Sequence, residues 1–178
     1  MMYARVPKER LGALIGPEGS VKRDIEARSG CALTIDSRTE DVTINEGARS
    51  EGQLIARDVV TAIASGFSPQ KAFRLFDEDN YFFVYDIRDY SGKDFKDIQR
   101  VRARLIGSEG KTRRLIEDLA EVDVSIYDNK VAIIGDLLAL DIARKAVEML
   151  LEGSEHAAVY GYLERKRKDL KMAKWGMS

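Results

Sequence analysis

The sequence predicts an α+β fold in which one β-α-α-β-β-α unit occurs twice, each unit a three-stranded antiparallel sheet packed against three helices. Three observations carry this. First, the chain of 178 residues matches itself at an offset of 91: Leu14-Ile15-Gly16-Pro17-Glu18-Gly19 falls on Leu105-Ile106-Gly107-Ser108-Glu109-Gly110. Arg23, Ile25, Glu26 and Ile35 then fall on Arg114, Ile116, Glu117 and Ile126, so the repeat spans a supersecondary unit rather than one loop. Second, each copy holds two segments in which apolar residues alternate with polar ones, the period of a half-buried strand. Third, each glycine loop leads into a segment with apolar residues at helical spacing.

The elements follow in chain order. Tyr3 to Val6 and Tyr81 to Ile87 open the two copies as strands, being rich in aromatic and β-branched residues. One helix enters the glycine loop and a second leaves it, carrying Val21 and Ile25 in the first copy and Leu115, Ile116 and Leu119 in the second. Leu33 and Ile35 then pair in pattern with Val42 and Ile44, and Val124 and Ile126 with Val131 and Ile133 across a turn at Asp128-Asn129. The closing helices run from about Glu51 to Ser65 and from about Leu137 to Leu151.

The domain expectation is therefore residues 1–66 for the first unit, 67–80 for a connecting helix, 81–152 for the second unit and 153–178 for a basic C-terminal helix. Ser68 and Pro69 supply an N-cap and first helical residue for the connector, and Phe73 and Phe76 give it apolar bulk to fix the two units together as a rigid pair. In the tail, Arg165, Lys166, Arg167, Lys168, Lys171 and Lys174 outnumber Glu164 and Asp169. Two roles are open to it: packing Tyr160, Leu163 and Leu170 on the second unit, or meeting RNA.

Bulk properties mainly exclude. Lys and Arg number 29 against 30 Asp and Glu, so overall charge does not indicate a polyanionic partner and its distribution must be read instead. No apolar run is long enough to span a bilayer, and Met1 to Arg5 lacks the apolar stretch of a signal peptide, which gives a cytoplasmic expectation. Cys31 is the only cysteine, so no intramolecular disulfide forms, and its neighbours Ala32 and Leu33 make it a small buried hydrophobe. His156 is the only histidine and has no cysteine or serine partner in view. Gly110-Lys111-Thr112 lacks the earlier glycine of a nucleotide-binding P-loop, because Leu105 stands there. Clusters at Asp77-Glu78-Asp79 and at Glu117, Asp118, Glu121 and Asp123 read as solvated surface. The expectation is a non-enzymatic protein with no cofactor and no metal.

A Gly-x-x-Gly loop between two helices suits a sugar-phosphate chain. Glycine permits the sharp turn and removes the Cβ atoms that would hold a backbone at a distance, and the helix that follows directs the positive end of its dipole at the loop. Gly16, Pro17, Glu18 and Gly19, with Lys22 and Arg23 beyond, form the first candidate RNA site. Gly107, Ser108, Glu109 and Gly110, with Arg104 before and Lys111, Arg113 and Arg114 after, form the second. These cations add affinity without base preference. Base readout falls to an apolar groove formed by the loop, its second helix and the middle strand, where about four unstacked bases fit.

The first copy resembles the KH module: Val6-Pro7, Gly12, Leu14-Ile15-Gly16-x-x-Gly19, Ile25, Ser29-Gly30 and Leu33-x-Ile35 stand in that module's order, which is the eukaryotic (type I) order. It departs in the loop interiors, where Glu18 and Glu109 occupy positions that usually carry a basic residue. In the second copy Ala120-Glu121 replaces Ser-Gly, and an insertion around Asp89 to Lys93 separates strand from helix. Taken whole, with Arg104-Leu105-Ile106-Gly107-x-x-Gly110-Lys111-Thr112-Arg113 and the Val131 to Gly135 strand, the chain looks like the archaeal relatives of the Krr/Dim family. That resemblance implies assembly of the small ribosomal subunit, single-stranded rRNA binding near the 3′ end, contact with the endonuclease that trims that end, and contact with the α subunit of translation initiation factor two. A general KH adaptor in RNA decay or transcription, and a protein-interaction scaffold with weakened RNA binding, are the alternatives.

Overall fold

The computed structural model describes residues 1–176 and divides the chain into two units, Met1–Asn80 and the residues from Tyr81 onward. In the first, β1 (Met2–Arg5) leads to α1 (Lys8–Ile15), and α2 (Ser20–Ser29) follows the glycine loop. β2 (Leu33–Asp36), β3 (Asp41–Ile44) and α3 (Ser50–Ala64) complete the repeat. β3 is the central strand, antiparallel to both neighbours in the order β1-β3-β2, with Met2 and Leu33 both opposite Ile44. Alternation decides which face is buried: Val42 and Ile44 point inward with Leu33, and Leu11, Leu14 and Ile25 join Ala56, Val59, Val60 and Ile63 of α3 in burial.

The connector belongs to this unit's packing. Ser68 caps α4 (Pro69–Ala72), its hydroxyl accepting from the Lys71 amide at 3.3 Å. A 3₁₀ turn, Phe73–Phe76, follows, and both segments lie against α3 with Ala72 and Leu75 buried. Arg28 at the end of α2 sets its guanidinium 5.0 Å from the Phe73 ring centre and 5.6 Å from that of Phe76.

The second unit repeats the plan with β4 (Tyr81–Asp86), α6 (Phe95–Ile106), α7 (Lys111–Ala120), β5 (Asp123–Tyr127), β6 (Lys130–Gly135) and α8 (Leu137–Leu151), and the insertion before α6 folds as α5 (Arg88–Ser91). Its sheet order is β4-β6-β5, with Phe83 and Val124 both opposite Ile133. Asp94 caps α6 and Asp136 caps α8, each accepting a backbone N–H at 2.9 Å. Where the first copy ends α2 on Gly30 at φ 75°, the second ends α7 on Glu121 at φ 60°, so the left-handed cap is kept without glycine. Asp128 takes φ 51° in the predicted β5–β6 turn.

The tail forms α9 (His156–Lys174). It lies on α7 and α8 and places Val159, Leu163 and Leu170 in the second unit's core. Of the two roles open to the tail, packing is therefore built into this helix. No helix among the described residues is long and apolar enough to cross a membrane.

Candidate nucleic-acid interface

The two glycine loops have the same backbone. Gly16, Glu18 and Gly19 sit at φ 73°, 54° and 77°, and Gly107, Glu109 and Gly110 at 75°, 55° and 76°. Pro17–Gly19 and Ser108–Gly110 each close a single 3₁₀ turn between the two helices. The first glycine is obligatory for two reasons. Its φ is positive with ψ near 175°, and a Cβ there would lie 2.4 Å from Val21 Cγ2 at Gly16 or 2.2 Å from Thr112 Oγ1 at Gly107.

The basic residues expected to serve these loops divide into several roles. Arg23 donates from Nη1 to the Glu18 carbonyl at 2.6 Å, and Arg114 donates to the Glu109 carbonyl at 2.7 Å, so each holds the raised part of its own loop. Lys22 reaches Glu26 at 3.5 Å and Arg113 reaches Glu117 at 2.5 Å. The same glutamates accept amides at the start of the edge strands, Leu33 N–H at 2.9 Å and Val124 N–H at 3.1 Å. Arg104 donates from Nη1 to the Leu150 carbonyl at 2.7 Å and from Nη2 to the carbonyl of Ser154, closing the end of α8. Arg10 does the same for α3 through the carbonyls of Ile63, at 2.9 Å, and Phe67, at 2.7 Å. Of the candidates in the second copy, Lys111 is the cation left on the open loop, exposed beside Ser108 and Glu109.

The groove is also more polar than expected. The strand beside the second helix is an edge strand, β2 or β5, because β3 and β6 occupy the sheet centres. Beside it stands the Lys22–Glu26 or Arg113–Glu117 pair, and in the first unit Ile15 at the end of α1 is 37% exposed. The glutamate there satisfies a strand amide that has no neighbouring strand on that side.

The roles of His156 and Tyr160 here go beyond the sequence reading, which packed Tyr160 on the second unit but placed neither at the loop. α7 turns Arg113 and Glu117 toward β5 and Lys111 and Thr112 toward α9, as about 100° of rotation per residue requires. There Tyr160 and buried Thr112 share a hydroxyl–hydroxyl hydrogen bond of 2.8 Å, Lys111 Nζ lies 5.7 Å from the Tyr160 ring centre, and His156 Nε2 is 2.9 Å from the Arg104 carbonyl. An open cavity of about 580 Å³ results, lined by Arg100, Ala103, Arg104, Gly107, Ser108, Lys111, Thr112, His156 and Tyr160. The legible signal was the i,i+4 spacing of His156 and Tyr160 on a helix whose apolar positions, Val159 and Leu163, lie beside them.

Among the described residues no group of three or more His, Cys, Asp or Glu side chains is placed to hold a metal ion. The cluster with the most displaced titration is elsewhere. Arg88, then Lys130 and Asn129, hydrogen bond to the Asp86 carboxylate and hold it well below the usual carboxylate range. It braces the end of β4 against the β5–β6 turn.

Known proteins share this architecture. Residues 3–61 match the KH domain, and residues 81–168, most of α9 included, match the eukaryotic-type KH domain (KH domain type I). The chain is 44% identical over 174 residues to a KH domain-containing protein of Methanocaldococcus jannaschii, covering 96% of this chain and 76% of that one. It is 30% identical to Pre-rRNA-processing protein PNO1 of Debaryomyces hansenii, covering 73% of this chain but only 50% of that protein, so it spans about half the length of that relative. The crystal structure of the a/eIF2alpha–aDim2p–rRNA complex from Pyrococcus horikoshii holds a chain 42% identical that superposes with a TM-score of 0.85 over 94% of both chains. Two type I KH folds in tandem, with sequence likeness running through both of them, show that this chain belongs to the tandem KH-domain family of archaeal Dim2p.

Proposed function

We propose that this protein binds single-stranded RNA through its two Gly-x-x-Gly loops, and that its RNA is small-subunit rRNA near the 3′ end during ribosome assembly. The observation that carries the reading is the paired loop geometry. Two glycine turns of one shape, each braced by an arginine on its own carbonyl and each standing at a helix N-terminus, offer close approach to a phosphate chain. The relatives' descriptions supply the RNA class: PNO1 of Debaryomyces hansenii is a pre-rRNA-processing protein, and the Pyrococcus horikoshii structure is a complex with rRNA and a/eIF2alpha. By the same argument the α subunit of translation initiation factor two is a protein partner in this proposal. The role is that of a non-enzymatic cytoplasmic factor, and the loop residues named above are its RNA-binding site.

One observation favours a second reading. Glu18 and Glu109 are exposed in the loops, where a carboxylate repels phosphate, which fits a protein-interaction scaffold with weakened RNA binding. Titration with short single-stranded pieces of the small-subunit rRNA 3′ region separates the two. Binding by the wild type, lost when Pro17, Glu18, Ser108 and Glu109 are all replaced by aspartate with melting unaltered, supports the RNA role. Equal binding by both proteins, or by neither, transfers the weight to the scaffold.

A further inference from the structure

We infer that the second loop carries an additional nucleotide subsite on the α9 side of α7, in which the ring faces of His156 and Tyr160 take a base flanking the segment held in the groove. The inference rests on the RNA reading above. It starts from the two faces of α7: Arg113 and Glu117 bound the groove beside β5, while Lys111 and Thr112 face α9. A strand crossing Gly107 and Ser108 leaves the groove directly into the cavity that α9 walls.

The chemistry there suits a nucleotide. The rings of His156 and Tyr160 lie 5.9 Å apart, inclined at 52°. Each is fixed through its polar atom, His156 Nε2 at the Arg104 carbonyl and the Tyr160 hydroxyl at Thr112. What they offer a ligand is therefore their π-surface, already ordered, and stacking on such a surface accepts any base. Lys111 Nζ lies over one face of the Tyr160 ring, 5.7 Å from its centre, and Arg100 also lines the cavity, its only ion pair among the described residues being 3.7 Å from Asp97 with the arginine side chain 64% exposed. Both cations can meet the phosphate that joins this nucleotide to the loop. The volume, about 580 Å³, lies within the roughly 300–1,000 Å³ of small-molecule sites. In the first unit Val21 occupies the position of Thr112 and has no hydroxyl with which to hold a ring, so the subsite is a property of the second loop.

The test compares single-stranded RNA of about four and about eight nucleotides, the longer extending the same core on either side. The full-length protein should bind the longer RNA more tightly. His156→Ala and Tyr160→Leu should each reduce that gain roughly tenfold while leaving the short RNA's affinity unchanged, since base–aromatic stacking is of this size. His156→Phe, which keeps a ring but loses its hydrogen bond to the Arg104 carbonyl, should retain more of the gain than His156→Ala. A wild type that binds neither RNA sinks the RNA reading itself. Variants that keep the full length-dependent gain overturn only the subsite. Photocrosslinking of a 5-iodouridine-substituted longer RNA to the wild type gives a readout that needs no variant to fold: adducts on His156 or Tyr160 support the subsite, and adducts confined to the β5 side overturn it.

Discussion

At the scale of single residues, the loops depend on what a glycine lacks. Gly107→Ala adds a Cβ at a backbone conformation nearly restricted to glycine and sets it against Thr112 Oγ1 and its amide nitrogen, 2.8 Å away. Strain of about 1–3 kcal/mol for the conformation, before any clash, predicts a loss of at least about 2 kcal/mol in chemical denaturation and a matching fall in RNA affinity. A variant with wild-type stability would show that the loop backbone relaxes freely. Asp86 gives a pH prediction. Its carboxyl titrates lower in the folded protein than in the unfolded chain, where about 3.9 is usual, so its stabilisation is complete above pH ~4 and declines as pH falls through the range below. The stability gap between wild type and Asp86→Asn should therefore narrow as pH drops below about 4. An equally large gap at neutral and acid pH would remove Asp86 from the account.

Elements follow their sequence patterns in type and order, although β6 is buried on both faces, with Ala132 and Ile134 as enclosed as Val131 and Ile133, and α9 shows the limit of composition. Its charged residues identify it as a basic helix, yet Val159, Leu163 and Leu170 fix it on α7 and α8. Leu170 is 2% exposed, and Leu170→Ala should cost about 3 kcal/mol through the cavity it leaves. Lys174→Ala, which removes an exposed pair with Glu121, should change stability by less than about 1 kcal/mol. Thermal melts of both variants check the contrast. Similar small effects would mean that α9 is held by its charges rather than by its apolar stripe.

For the whole molecule, the proposed RNA role turns on how much each of two loops of one shape contributes to affinity. The second loop is expected to contribute more, although fewer cations support it than sequence counting supplies, since Arg104 closes α8 and Arg114 holds Glu109. Lys111 and Arg100 are exposed charges beside it. Replacing Ser108 and Glu109 by aspartates should therefore lower affinity more than the same change at Pro17 and Glu18. Every phosphate that the variant no longer neutralises should also reduce the slope of log affinity against log salt by roughly 0.7. A greater loss at the first loop would reverse the ranking. The doubled β-α-α-β-β-α order and both glycine loops were legible from the sequence alone, because period-2 and helical spacings and repeated glycines are local signals of element type and backbone conformation. The functions of the arginines were not legible, since an arginine on a loop flank and one closing a distant helix are the same letter, and only the approach of the Leu150 and Ser154 carbonyls separates Arg104 from the other candidate phosphate contacts. The same holds for His156 and Tyr160, which reach the second loop from about 50 residues away because α9 folds back along α7, a proximity that tertiary packing alone creates.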